Sequence, residues 1–326
     1  MTRLYRLKLR PTAPWRTPWQ ADTLTGMLLA TAARTLGQRT LHSRLIDPMI
    51  GGRPPFVLSD AMPGDLLPFP VHLRLSGWPD GADLKRVKRA RWLAPDPFQA
   101  ARSGSCPTAE AMLSDADVFH GQTRQHNSLS RVTDASFSAE KGGGIYQRPE
   151  TVLLAKWPSG EGADYLSVYV RILDSAIADL LIELFHQLSL AGFGADTATG
   201  RGQFDLPEDP VAVPNLDEPP PGANGVMALS TFQPGAADPV DGYWDAFPKF
   251  GKLGPDAGLA DVRKNTLVLF RPGASFRTDP SSGFLGRAVP MRELLPAGAA
   301  DELAARDFGI IHPAFALAVP ATLPVG

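Results

Sequence analysis

The chain has 326 residues, 44% of them hydrophobic and 20% charged, and a formal net charge of -2. Such a composition excludes a wholly disordered chain and a globally cationic one, and the length allows a sizeable core in two domains or in one enlarged by insertions. Any nucleic-acid surface must therefore be built from local clusters of Lys and Arg. With one cysteine, Cys106, neither an internal disulfide nor a thiolate metal cluster can form within the chain, which points to a reducing compartment, the cytoplasm.

Residues 1–10 alternate apolar and basic side chains and lack the continuous apolar stretch of a signal peptide, so a first strand is expected from Leu4 to Leu9. A loop bearing Pro and Trp follows to Gln20. Asp22 can then cap a helix from Thr23 to Leu36, stopped by Gly37. Between Leu41 and Leu75, short apolar runs broken by Pro and Gly, among them 56–60 and 71–75, predict strands rather than helix. Residues 83–93 set Lys85, Arg86, Lys88, Arg89 and Arg91 around Leu84, Val87, Ala90 and Trp92, the spacing of a helix with one basic face. Residues 94–142 are polar, small and turn-rich, and read as an excursion from the domain.

Three β-rich runs follow at 144–147, 151–155 and 165–173, then an apolar helix from Ala176 to Leu190. That helix is too short to span a bilayer and carries Asp179, Glu183 and His186, so no membrane span is expected. The order of elements matches an elaborated βαββαβ ferredoxin-like unit. An acidic, Pro-rich segment over 205–222 reads as a linker. Beyond it, strands are expected at 225–232, 266–270, 273–277 and 314–319, with little helix outside 301–306. The expected fold class is α+β, with two ferredoxin-like (RRM-related) domains, antiparallel sheets and a large insertion. The N-terminal domain covers 1–206 with the insertion at about 79–143, the linker 207–222, and the sheet-rich C-terminal domain 223–326.

The segment with the most distinctive chemistry is 192–204. Gly192, Gly194, Gly200 and Gly202 surround Asp196, Thr197, Thr199 and Arg201 directly after an apolar helix. Glycine permits positive φ and close backbone approach, and exposed amides with an Arg and two hydroxyls can grip phosphate oxygens. A flexible helix-to-strand connection is the alternative. It is not a P-loop, since no Gly-Lys-Ser/Thr follows, and not a Rossmann fingerprint, since it follows a helix. The six histidines show no His-Glu-x-x-His spacing, so neither a metal nor another cofactor is expected.

Taken in order, Trp19-Gln20-Ala21-Asp22-Thr23-Leu24-Thr25-Gly26, Leu58-Ser59-Asp60-Ala61-Met62-Pro63, the basic stretch Leu84 to Trp92, His126-Asn127-Ser128-Leu129-Ser130-Arg131 and the glycine loop resemble the RAMP superfamily of CRISPR proteins. The likeness is to those of type III-A (Csm) effectors that cap the 5′ end of the guide, and it spans most of the chain. It implies a non-catalytic RNA-binding subunit holding the crRNA 5′ handle. Implied partners are target RNA near the start of the guide duplex, the large polymerase/HD subunit and the neighbouring backbone RAMP subunit.

The same resemblance implies RNA contact by Thr23 and Gly26 at the first helix, with Asp22 read as its cap, and by His126, Asn127 and Arg131 before a hairpin that meets the guide. An Asx-type turn is the alternative for Asn127. Lys85, Arg86, Lys88 and Arg89 would neutralise phosphates or form a solvated face. The family's loop is more cationic than Ala195-Asp196-Thr197-Ala198, which leaves Arg201 as its expected phosphate contact. Asp47 and Asp60 read as structural. The rival functions are a metal-independent crRNA-processing RAMP endoribonuclease, with His42 and His126 as an acid/base pair, and a protein scaffold without RNA contact.

Overall fold

The computed structural model describes residues 3–75, 78, 83–127, 129, 144–253, 263–305 and 310–324. Its first part comprises strands β1 (Arg3–Pro11), β2 (Phe56–Leu58), β3 (Phe119–Asn127), β4 (Ile145–Leu153), β5 (Leu166–Ile172) and β6 (Phe204–Asp205). Its longer helices are α1 (Ala21–Thr35), α2 (Leu84–Arg89), α3 (Pro95–Arg102) and α4 (Ala178–Ala191). Alternation along β1 buries Leu7 and Leu9 and aims Arg6 and Lys8 at the other face. β1 pairs antiparallel with β5, in register from Arg3 opposite Ile172 to Leu9 opposite Leu166, and the sheet runs β6-β1-β5-β2.

The second part holds β7 (Gly225–Ala228), β8 (Gly242–Tyr243), β9 (Ser275–Arg277), β10 (Phe284–Pro290), α5 (Met291–Leu294), α6 (Ala297–Ala305) and β11 (Ile311–Ala321). This antiparallel sheet runs β8-β9-β7-β11-β10, a different order from the first. β11 is buried along its whole length, as its apolar sequence requires, because α1 and β2 of the first part cover one side of it. One buried cluster accordingly joins Leu9, Leu24 and Leu28 with Leu229, Leu317 and Val319.

Polar bonds fasten the same junction. Asp60 Oδ1 accepts from the amides of Ala21 (2.8 Å) and Thr231 (2.7 Å), and its Oδ2 from the Thr231 hydroxyl (2.6 Å). Burial pushes the Asp60 carboxyl up to about 6 against those bonds. A raised folded pKa stabilises the fold fully below the unfolded value of 3.8, and that contribution is lost as pH rises through 6. The stability difference between wild type and Asp60→Asn should therefore move by about 2 kcal/mol against the wild type between pH 4 and pH 7. Urea midpoints of both proteins across that range measure it; a constant difference contradicts the assignment.

Several expectations need correction. Residues 71–75 form a helix, not a strand; His72 is as buried as Val71 and Leu73 because it lies between the two parts, its Nδ1 3.0 Å from Ser275 Oγ. Residues 38–50 are helical as well. The supposed excursion over 94–142 contributes α3, where Phe98 is fully buried and Arg102 donates to the carbonyls of Asn215, Leu216 and Pro320. Within 207–222, Val211 and Ala212 pair with β1 and Leu216 is buried, so this stretch is partly integrated into the first sheet. β10 escaped notice because Gly286 and Arg287 interrupt its apolar pattern.

Candidate nucleic-acid interface

α4 ends at Ala191, and the chain turns through Gly192 at φ +82°. Phe193 then buries itself flat on Trp19, with ring centroids 3.9 Å apart, and Trp19 in turn meets Phe204 edge-on. Backbone bonds from Phe193 to Gly202, from Gly202 to Pro14 and from Thr12 to Gln203 lace the loop to residues 12–20. The glycine loop is thus a packed platform. A Cβ at Gly202 would fall 2.0 Å from the Phe193 carbonyl oxygen, whereas nothing lies within 4 Å of one at Gly200.

Packing removes much of the expected amide cradle. The N–H groups of Thr199, Gly200, Arg201 and Gly202 go to carbonyls, that of Ala195 to Thr17 Oγ1, and that of Gly194 to Met27 Sδ. Arg201 is 8% exposed and donates through Nε to Glu150, itself 3% exposed. The guanidinium expected to meet phosphate is instead a buried structural cation. Thr197 is half-buried and Thr199 exposed, and the Thr199 hydroxyl donates to the Asp196 carbonyl at 2.9 Å.

The surface cations beside the loop are Arg16 and Arg148, which converge on Asp196. Arg148 Nη1 lies 2.6 and 2.7 Å from its two oxygens, and Arg16 donates to the second. Burial opposes ionisation of Asp196, but the bonds from Arg148 and Arg16 hold its carboxyl below the ordinary range. Asp196 is the one non-glycine residue at positive φ (+65°) among the described residues.

Arg148 belongs to the exposed hairpin of β3 and β4. His126 and Tyr146 face each other across that ladder and stack at 5.4 Å, while the Arg148 guanidinium sits 4.9 Å over the Tyr146 ring. Arg124 lies directly opposite Arg148 and has no ion-pair partner among the described residues. Like charges directly opposed weaken a two-stranded ribbon. Two arginines beside a stacked His–Tyr pair suit a strand with phosphates and bases.

The other expected residues are dispersed. Lys249 Nζ binds both oxygens of Asp22 (2.8 and 2.7 Å) and the Thr23 hydroxyl (2.9 Å). Asp22 is therefore a buried ion-pair member and no cap, its helix being preceded by Gln20; His312 Nε2 is 3.0 Å away on another side. Gly26 lies half-buried on α1, with nothing within 4 Å of where a Cβ would stand. On α2, capped by Asp83, Lys85, Lys88 and Arg89 are exposed, while Arg86 is tied to the Met112 carbonyl. Asn127 is exposed at the end of β3, and Arg131 lies outside the described residues. His42 pairs with Asp47 at 3.2 Å, and no hydrogen bond or ring contact among the described residues joins it to His126. Arg124, Tyr146 and Arg148 were missed because a polar, largely exposed ribbon has no apolar period to reveal it, and Arg16 because it stands in the irregular loop before α1.

No protein-family profile matches the chain, and no curated protein matches it in sequence. Solved structures do match in fold. A chain in the crystal structure of a Csm1-Csm4 cassette in complex with cA4 is 16% identical with a TM-score of 0.61, covering 99% of this chain and 100% of that one. A chain of the Csm1-Csm4 cassette with AMPPNP is 16% identical with a TM-score of 0.58 over the full length of both. A chain of the Csm3-Csm4 subcomplex of the type III-A CRISPR-Cas interference complex is 13% identical with a TM-score of 0.61, covering 97% and 99%. The chain thus has the mixed α/β, antiparallel-sheet fold of a CRISPR effector subunit. The component these assemblies have in common is Csm4.

Proposed function

We propose that the chain is a Csm4-type subunit of a type III-A CRISPR complex that holds the crRNA 5′ handle and does not cut RNA. The observation that carries this reading is the end-to-end likeness to chains taken both from Csm1-Csm4 and from Csm3-Csm4 assemblies. It supports a place between the large polymerase/HD subunit and a backbone RAMP subunit. The strand order β6-β1-β5-β2 with α1 and α4 supports a ferredoxin-like first unit, and we read the second sheet as RRM-related. No helix among the described residues is long and apolar enough to cross a membrane, in keeping with a cytoplasmic complex.

The hairpin and the face around Asp196 meet the handle and the first paired target nucleotides. Co-expression with the two partner subunits and a guide, followed by sizing, tests the assignment: recovery of all four in one species supports it, and a complex complete without this chain refutes it. Incubation of repeat RNA with the protein and no divalent metal should leave the RNA intact. Cleavage abolished by His42→Ala or His126→Ala would establish the endoribonuclease instead.

Asp196 competes with RNA for Arg16 and Arg148 in this account. Asp196→Ala should raise affinity for single-stranded RNA roughly fivefold, the worth of about 1 kcal/mol in charge-assisted contact. A filter-binding titration reads this, and an unchanged or weakened affinity counts against the interface.

A further inference from the structure

Between the base of the hairpin and the second sheet lies a cleft of about 540 Å³, walled by Arg16, Arg74, Arg91 and Arg271 with Trp92 and Phe119. A space of that size accepts about one or two nucleotides. Its three inner guanidiniums are joined through shared acceptors. Arg74 Nη2 donates to the Ala90 carbonyl at 2.8 Å, and Arg91 Nη1 reaches the same oxygen at 3.5 Å. Asp245 Oδ2 lies 3.5 Å from Arg74 Nη1 and 3.4 Å from Arg271 Nε.

Asp245 therefore serves two of these cations, and Arg91 has no ion-pair partner among the described residues. The carboxylates lining the cleft are engaged: Asp60 is buried against Ala21 and Thr231, and Asp115 accepts the Trp92 indole N–H at 2.8 Å. Burial, then the like charges of Arg91 and Arg271, push Arg74 down to about 10, so it is cationic at neutral pH. The Nε of Arg16 and of Arg74 and the Trp19 indole N–H are sealed from solvent without an acceptor. Such a surplus of positive charge and donors calls for an anion rich in oxygens.

We propose that this cleft is a subsite for single-stranded RNA, its phosphates on Arg74, Arg91 and Arg271 and one base against Trp92 and Phe119. The inference rests on the RNA-binding reading above and adds a place and a strand state to it. The aromatic wall, with Trp92 and Phe119 edge-to-face at 6.3 Å, favours an unstacked base over an acidic peptide, which has no ring to offer.

The test is fluorescence anisotropy of a short labelled oligouridylate on the full-length chain across rising salt, comparing wild type with Arg91→Gln plus Arg271→Gln. The double variant should bind at least tenfold more weakly, with a salt slope shallower by about one to two. Arg91→Gln alone, which gives up only the weak contact to Ala90, should lose about threefold and keeps the test usable if the double variant melts early. Wild-type affinity and slope in a folded variant overturn the cleft and leave the RNA-binding reading standing. No binding by wild type overturns both. Competition by RNA duplex or polyglutamate as strong as by the single strand overturns the assignment to single-stranded RNA.

Discussion

Replacing Glu150 by alanine is expected to destabilise the protein by about 3–5 kcal/mol, because the Arg201 guanidinium would be left charged, buried and without its carboxylate. The penalty comes from the orphaned charge more than from the lost bond. Replacing both residues by apolar ones of similar volume should thus recover most of the loss. Denaturant midpoints of the single and double variants measure the contrast. A single variant within about 1 kcal/mol of wild type would mean that water reaches Arg201.

The second large effect is expected at Gly202. Its φ of +65° and the Phe193 carbonyl 2.0 Å from where a Cβ would stand leave no room for any side chain. Gly202→Ala should cost about 3 kcal/mol or more, by forcing Phe193 off Trp19. Gly200, at φ +78° in open space, should lose only about 1 kcal/mol on the same change. Gly200 is consequently the position for probing contact with RNA without disturbing the fold. A bulky residue there should weaken guide retention if the loop tip meets the strand.

These two sites show what pattern could and could not reveal. The glycine loop was recognisable because four glycines after an apolar helix need special backbone geometry; all four have positive φ, and Gly194 and Gly202 are also required by close packing against Thr17 and Phe193. What pattern could not show is that Arg201 would find Glu150, 51 residues away in sequence, across the hairpin. β1, β5 and α4 were legible from periodicity, having one buried and one open side or a continuous apolar run. The helix over 71–75 was not, since Val71, His72 and Leu73 are all buried and consecutive buried positions erase the difference between a helical and an alternating pattern. The hairpin posed the opposite problem: mostly exposed, it carries arginines and a stacked His–Tyr pair that gain meaning only from the register between its strands.

Net charge told little, as several acidic residues are spent in ion pairs that hold the fold. Arg6 with Asp65, Arg171 with Asp217 and Lys249 with Asp22 link segments distant in sequence. Exposed cations stand on the hairpin at Arg124 and on α2 at Lys85, Lys88 and Arg89, and guanidiniums line the cleft around Arg74. A chain that is acidic overall can in this way present a basic path.

Photocrosslinking in the assembled complex, with 4-thiouridine placed within the handle, decides whether this chain grips the 5′ end of a guide RNA. Crosslinks from the handle to this chain are expected, concentrated on β3 and β4 around His126 and Tyr146. Efficient crosslinking of every handle position to other subunits, with none to this chain, would contradict that grip.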